Sequence, residues 1–371
     1  MNVREATEAE LAGWDARTVD APGGHVYQSR AWADHRARSG WRARFLMTGD
    51  DGAVLALVRP WPIVPGAGGY VPRGPVAGPP DILGRRLTAV AGALASDGVD
   101  VLAADAEVPA AATDYRSIIE AAGFHPIEEI QPSRHRVTRP IEPGLDEDAA
   151  LATVAKSARQ RIRAAERDGI AVVRHDVRMA DGGAGDGFVK SAEPTAQALD
   201  RFYDLLLETG ERRHFGFGSR EAFVPWWNAA HTVGHLVALE ARLGGADGQP
   251  LAGLLLYRHG GRLSTVHSAD HADTRRDHPG SLHLLRWRAL QLAIREGCSE
   301  LDLGGADVAG ARREPRPGEP MEGLYQHKRA FGGVWLELTG AHERVVDARG
   351  YALGRLAGRL GRLVPGMGKR G

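Results

Sequence analysis

The chain has 371 residues, 43% hydrophobic and 25% charged, the balance of an ordinary globular protein with room for two cores of about 150–200 residues each. Equal numbers of basic and acidic residues, 47 of each, exclude a global electrostatic case for nucleic-acid binding and leave only local basic patches. One cysteine, Cys298, excludes a disulfide framework or a cysteine-rich zinc site; residues 1–14 lack the apolar run of a signal peptide and no stretch reaches a membrane span, so a cytoplasmic protein is expected.

Helices are predicted over 8–19 and 29–39, the second opened by Ser29 as N-cap. Strands follow over 44–47 and 53–62, joined by the turn Gly49-Asp50-Asp51-Gly52. The proline-locked Tyr70-Val71-Pro72-Arg73-Gly74-Pro75 stretch is extended and cannot be a central strand throughout. Residues 81–96 read as a helix with Leu83, Leu87, Val90 and Leu94 on one face, 99–103 as a buried strand, 115–122 as a helix and 136–141 as a strand edge. A basic helix is predicted over 148–168, stopped by Gly169, then a strand over 170–174. The Gly-rich loop 181–187 lacks the Gly-Lys-Ser/Thr of a Walker cradle. Helices over 198–209 and 221–232 precede strands over 236–242, 251–257 and 262–268.

An internal repeat organises these elements. Pro80 matches Pro279, Leu83 matches Leu282, Gly98 matches Gly297 and Leu102 matches Leu301, a constant offset of 199 residues. The order helix–helix–strands–helix–strand, run twice, predicts two α/β (α+β) domains of one architecture, at 1–145 and 146–345. A basic amphipathic helix and tail at 346–371 follow. That order is similar to the GNAT acyltransferase fold. Coenzyme-A-binding members place a glycine-rich loop before the main helix, where backbone N–H groups hold the pyrophosphate. Here the loop is Arg275-Arg276-Asp277-His278-Pro279-Gly280, with His278 in the first glycine position and Pro279 lacking an N–H.

The motifs resemble those of the FemA/FemB/FemX family of peptidoglycan aminoacyltransferases, over nearly the whole chain. They are Gln28-Ser29-Arg30-Ala31-Trp32 with Gly40-Trp41, the Pro72-Arg73-Gly74-Pro75 loop, and the basic segment from Ser157 to Ile170. The Glu208-Thr209-Gly210-Glu211-Arg212-Arg213-His214-Phe215 segment and Leu301-Asp302-Leu303-Gly304-Gly305 continue the series. Gly323-Leu324-Tyr325-x-x-Lys328-x-x-Phe331-Gly332 closes it. The resemblance implies tandem GNAT-like domains with mixed sheets. It also implies transfer of an amino acid from aminoacyl-tRNA, as co-substrate, to the amine of a UDP-linked or lipid-linked muramyl peptide precursor. It implies no coenzyme A, and no metal-ligand spacing appears among the histidines. The long helical insertion that gives one branch of the family its coiled-coil arm is absent.

The resemblance maps the essential lysine of the family onto Lys328 and its phosphate-holding positions onto Arg36 and Arg212. His327 stands where an aromatic is usual, and Thr265-Val266-His267 replaces tyrosines on the third strand of the second domain. Lys328 is assigned to the tetrahedral oxyanion or the terminal tRNA phosphate, against the alternative of a surface lysine near a strand end. Arg36 and Arg212 are diphosphate clamps or solvated helix charges. Arg73 lines the acceptor groove or braces its loop, and His267 donates to substrate or shuttles a proton, or is a core histidine. Asp302 orients a donor or caps a turn, and Tyr325 joins the substrate-binding set.

The C-terminal helix sets Leu353, Leu356, Leu360 and Leu363 on one face and arginines around the other. Packing of that apolar face as a cap on the second domain is the default. Contact with tRNA phosphate or with the inner membrane face is the alternative for it. Three rival functions remain: transfer to a small peptide-like metabolite, non-catalytic binding, and, last, coenzyme-A-dependent acyl transfer.

Overall fold

The computed structural model describes residues 1–179, 187–213 and 216–363. Most of the Gly-rich loop at 181–187, together with His214 and Phe215, lies outside the described residues. The chain forms two compact units, one of residues 1–135 with the chain from 336 onward, the other of residues 136–335.

The first unit opens with β1 (Val3–Glu5), α1 (Glu8–Ala12), α2 (Arg30–Ala37), β2 (Arg42–Thr48), β3 (Ala53–Pro60) and β4 (Ala67–Val71). It continues with α3 (Pro80–Ser96), β5 (Val99–Ala104), α4 (Thr113–Ala121) and β6 (His125–Pro126). The second unit runs β7 (Arg136–Pro140), α5 (Glu147–Thr153), α6 (Lys156–Arg167), β8 (Ile170–His175), α7 (Thr195–Arg213), α8 (Arg220–Thr232), β9 (Leu236–Leu243) and β10 (Gln249–His259). Then come β11 (Arg262–Asp270), α9 (Ala272–Asp277), α10 (Ser281–Arg295), β12 (Glu300–Asp302), α11 (Glu322–Arg329) and β13 (Val334–Leu336). The chain returns to the first unit as β14 (His342–Val345) and α12 (Ala348–Leu363).

Each unit carries one seven-stranded mixed sheet, in the orders β1-β2-β3-β4-β5-β14-β6 and β8-β9-β10-β11-β12-β7-β13. In both, four antiparallel strands lead to one parallel pair, β4 with β5 and β11 with β12. An antiparallel strand then follows, β14 on β5 and β7 on β12. The duplication therefore extends beyond the 199-residue repeat to whole sheets. α3 buries Leu83, Leu87, Val90 and Leu94, the face its periodicity predicts. Each such side chain contributes roughly 1.5–3 kcal/mol of hydrophobic burial. The matching helix α10 is buried on most of its circumference, through Leu284, Leu285, Trp287, Leu290 and Leu292 and also through Arg286 and Gln291.

Several expectations change. Residues 136–140 pair with β12 and belong to the second sheet, whereas the sequence placed them before the boundary at 145/146. β14 and α12 belong to the first unit, because β14 hydrogen-bonds β5 on one side and β6 on the other. The single basic helix over 148–168 is two, parted where Val154 turns extended (ψ 138°) and Ala155 N–H donates to Ala330 O. The 8–19 helix likewise ends at Ala12, and a π-helical turn takes Ala16–Asp20. Ser29 caps α2 as expected, its hydroxyl accepting from Trp32 N–H.

The apolar-face expectation for the C-terminal helix is corrected at Leu353 and Leu356, while the side chains of Leu360 and Leu363 lie outside those described. Leu353 and Leu356 are each 55% exposed, and α12 packs through small residues on β4 and β5. A Cβ on Gly354 would lie 2.3 Å from the Trp61 ring and one on Gly350 2.5 Å from Asp100. The helix sits closer than any leucine face would permit. Among the described residues no helix is long and apolar enough to cross a membrane.

Candidate functional site

In the second unit β11 and β12 pair only from Arg262↔Glu300 to Ser264↔Asp302. β11 continues alone on that side to Asp270, and a bulge against β10 leaves Val266 unpaired between Thr265 and His267. Residues 265–268 are partly exposed in mid-strand, and Thr265 Oγ1 has no hydrogen-bond partner. That strand edge, closed at its far end where Thr209 and Arg212 bond the Asp270 backbone, and the buried Thr265 hydroxyl mark the place where a ligand would complete the sheet.

Lys328 lies at this opening. It sits on α11 and is 4% exposed, so it is not a surface lysine near a strand end. The helix starts beyond Met321, which takes a left-handed φ of 72°, and a Cβ on Gly333 would meet Lys328 O at 2.8 Å. Lys328 Nζ donates to Gly305 O at 2.6 Å. The Gly304 α-carbon faces both Lys328 Nζ and Thr265 O, at 3.4 and 3.1 Å from where a Cβ would stand. Burial first, then the nearby Arg286 cation, pulls the Lys328 pKa down to about 7 against Asp302 and Asp307, which hold it up.

Asp302 accepts from Gly304 N–H at 2.7 Å and from Arg136 Nη1 at 3.2 Å. The first contact caps the turn, and the Asp302 charge also acts on Lys328. His267 is enclosed by Phe217, Phe223 and Trp227, with ring centroids at 5.0, 5.9 and 5.6 Å. That enclosure desolvates it and pulls its pKa to about 4, so the imidazole is neutral near pH 7. Tyr325 is buried edge-on against Trp335 with the Arg329 guanidinium over its ring, which makes it a packing residue of α11. Arg212 is engaged through Nη2 by the Asp270 carboxylate and carbonyl. Its Nε and Nη1 have no hydrogen bond, although Glu208 stands 3.6 Å from Nη1.

The first unit holds Arg36 and Arg73. Arg36 lies over the Trp32 and Trp41 rings at 5.6 and 5.7 Å, where burial lowers its pKa. Arg73 is in the proline loop at φ 48°. Its N–H donates to Asp105 Oδ1 at 2.7 Å, and its Nε lies 3.7 Å from Asp105 Oδ2 and 3.9 Å from Glu107. The loop is pinned by the buried Gln28 amide, which donates to Leu55 O and Pro72 O. Tyr70 O–H also donates to Asp105 Oδ1, at 2.9 Å. Tyr70 and Tyr27 act on both arginines, so Arg36 and Arg73 share one neighbourhood.

Sequence reasoning missed Asp105, Tyr70 and Asp307. The repeat held a signal for the first, since Asp105 plus the 199-residue offset is Gly304, and both stand just past the end of the parallel strand. A further detail concerns α10. Its N-cap Gly280 lies so close under α6 that a Cβ would be 2.3 Å from Arg161 O. Among the described residues no group of three or more His, Cys, Asp or Glu is placed to hold a metal ion.

Comparison with known proteins fits this geometry. The family model described as an acetyltransferase (GNAT) domain matches residues 153–313, which hold the open strand edge of β11. A crystal structure of FemX superposes with a TM-score of 0.77 at 20% identity, covering 95% of this chain and 99% of that one. The chain has the FemX fold. The tandem GNAT-like architecture expected from the motifs is thereby borne out, and the FemABX resemblance holds at the level of fold. The same fold extends more loosely to L-PGS from Bacillus licheniformis (TM-score 0.52, 12% identity, 96% of this chain and 98% of that one). It extends also to the C-terminal domain of a putative lysylphosphatidylglycerol synthetase from Agrobacterium fabrum (TM-score 0.50, 14% identity, 92% and 93%). No curated protein matches the sequence significantly.

Proposed function

We propose that this protein is an aminoacyltransferase that moves an amino acid from aminoacyl-tRNA to the amine of a muramyl stem peptide, acting in peptidoglycan bridge formation. The observation that carries the reading is Lys328, a buried lysine beside the open edge of β11 in a FemX-like fold. The acceptor nitrogen attacks the ester carbonyl carbon, the tetrahedral oxyanion forms, and the bond to the ribose oxygen breaks. The proton released by the amine ends on that ribose oxygen. A lysine with a pKa near 7 suits both duties, holding the oxyanion as an ammonium and passing a proton to the leaving oxygen. Two supports weigh against coenzyme A: Pro279 removes an N–H, and α6 occupies the space against the α10 N-terminus, where a pyrophosphate would lie. Arg36 and Arg73, with Tyr70 and Asp105, supply the polar surface for the acceptor in the first unit.

The test is transfer of radiolabel from a mixed pool of charged tRNAs to UDP-linked muramyl pentapeptide. Labelled precursor, or discharge of the tRNA where the acceptor is lipid-linked, is expected, and Lys328→Met should lower the rate of either by ~100-fold or more. Failure to discharge any tRNA, to this acceptor or to water, would sink the reading.

The exposed Leu353 and Leu356 of α12, with Arg355 between them, favour a lipid-linked acceptor approached at an anionic membrane surface. Sedimentation with vesicles containing phosphatidylglycerol should fall at least several-fold in the Leu353→Glu, Leu356→Glu double variant. Equal sedimentation of the two proteins would leave the soluble, UDP-linked precursor as the acceptor. The His267 enclosure and the His327 replacement favour a second reading, with the same donor and a small peptide-like acceptor. Transfer to such peptides without the muramyl group would distinguish it.

A further inference from the structure

Arg286 is the residue that the reaction above leaves unexplained. It lies mid-helix on α10, 3% exposed, between Leu285 and Trp287. Its Nε and Nη1 are buried with no hydrogen-bond partner. Burial alone pulls its pKa down to about 10, with no carboxylate acting on it. Other buried arginines here show the contrast: Arg258 is paired with both Asp176 and Glu296, and Arg242 with both Glu193 and Glu240. A guanidinium taken out of water without a counter-charge is strongly unfavourable unless something else supplies the anion.

Its surroundings are cationic or neutral. One turn back on the same helix, His283 packs edge-on to His327 of α11 at 4.5 Å. Burial first, then Arg161 and Arg286, lowers the His283 pKa to about 4. Burial, then Arg286 and the neighbours His283, Lys328 and Arg161, lowers that of His327 to about 2. Both rings are therefore neutral at pH 7. Arg286 also acts on Lys328. Two facing helices thus bring a buried guanidinium, its Nε and Nη1 without partners, to the neighbourhood of Lys328.

We propose that Arg286, with His283 and His327 beside it, forms a phosphate-binding subsite adjoining Lys328 in the second unit. Within the transferase reading, on which only the identity of the ligand rests, the phosphate is the one that joins the terminal adenosine to the rest of the tRNA. A guanidinium edge takes two phosphate oxygens at once, which fixes the ribose, and hence the ester, in register with Lys328 Nζ. The two imidazoles stack or donate without adding charge.

The experiment uses the full chain, with calorimetric titration of adenosine 5′-monophosphate and adenosine and thermal shift with inorganic phosphate and acetate. Adenosine monophosphate should bind at least tenfold more tightly than adenosine. Phosphate should raise the Tm where acetate does not. Arg286→Met should abolish both differences while raising the ligand-free Tm, because an unpaired buried charge has been removed. Arg286→Lys should keep a reduced preference. Equal binding of nucleotide and nucleoside, an Arg286→Met variant that keeps the preference, or acetate acting as well as phosphate would overturn the subsite. Should Arg286→Met not fold, Arg286→Lys with an undiminished preference would do the same. Phosphate recognition in a protein that discharges no tRNA would uphold the subsite and refute the reaction; transfer activity with no phosphate preference would do the reverse.

Discussion

Lys328 is protonated at a cost. Its native pKa near 7 lies below the ordinary 10.5, so between those values the unfolded chain binds more protons than the native one. Stability therefore rises with pH across that window, and the penalty is complete below pH 7. Lys328→Met should consequently be more stable than the parent at pH 6, on the order of 1–3 kcal/mol. The gain should shrink steadily towards pH 10. Urea titrations at pH 6 and 9.5 check this; a variant destabilised at both would mean that the Gly305 contact outweighs desolvation. Lys328 was legible in the sequence because its motif set it apart. Arg286 was not, since Arg286, Arg288 and Arg295 look alike along α10. Only packing shows that Arg288 meets Glu166 and Arg295 meets Glu147 while Arg286 meets no acid.

At the level of elements, the second sheet is tied to α7 by a charge cluster that no motif announced. Against burial, which pushes it up, hydrogen bonds from His175, Arg242 and Arg201 hold the Glu240 pKa at about 2. A depressed carboxylate gives stability that is present above about pH 4.5 and lost as pH falls towards 2. Acid unfolding of the parent should steepen in that interval, and Glu240→Gln should flatten it while lowering stability at pH 7 by roughly 2–4 kcal/mol. An unchanged acid limb would place the titrating group elsewhere. α12 provides a second test. Gly354→Leu meets Trp61 head-on and should lower stability by about 1–3 kcal/mol. The same change at Gly358, which has nothing within 4 Å of a Cβ, should be near neutral. Helical periodicity located α12 correctly and chose the wrong face, because a glycine stripe carries no hydrophobic signal although it permits the closest approach.

For the molecule as a whole, the repeat made the two-domain architecture legible, as whole helices and parallel strands recur at one offset. The boundaries were not legible, since they depend on which strand fills the gap between β5 and β6, a pairing decided by long-range hydrogen bonds. In the first sheet that place is taken by β14, about 200 residues downstream of β6. A ribosome making this chain therefore delivers the first unit without one of its interior strands. Unit one must wait, with β5 and β6 edges open, while all of unit two emerges and folds. A fragment of residues 1–135 should be poorly folded by circular dichroism, and residues 136–335 should fold alone. The short fragment should be rescued by a peptide spanning 336–363. Synthesis and completion thus run in opposite orders: the half that is made first is finished last, and only a chain translated through β14 completes the sheet of the unit that carries Arg36 and Arg73.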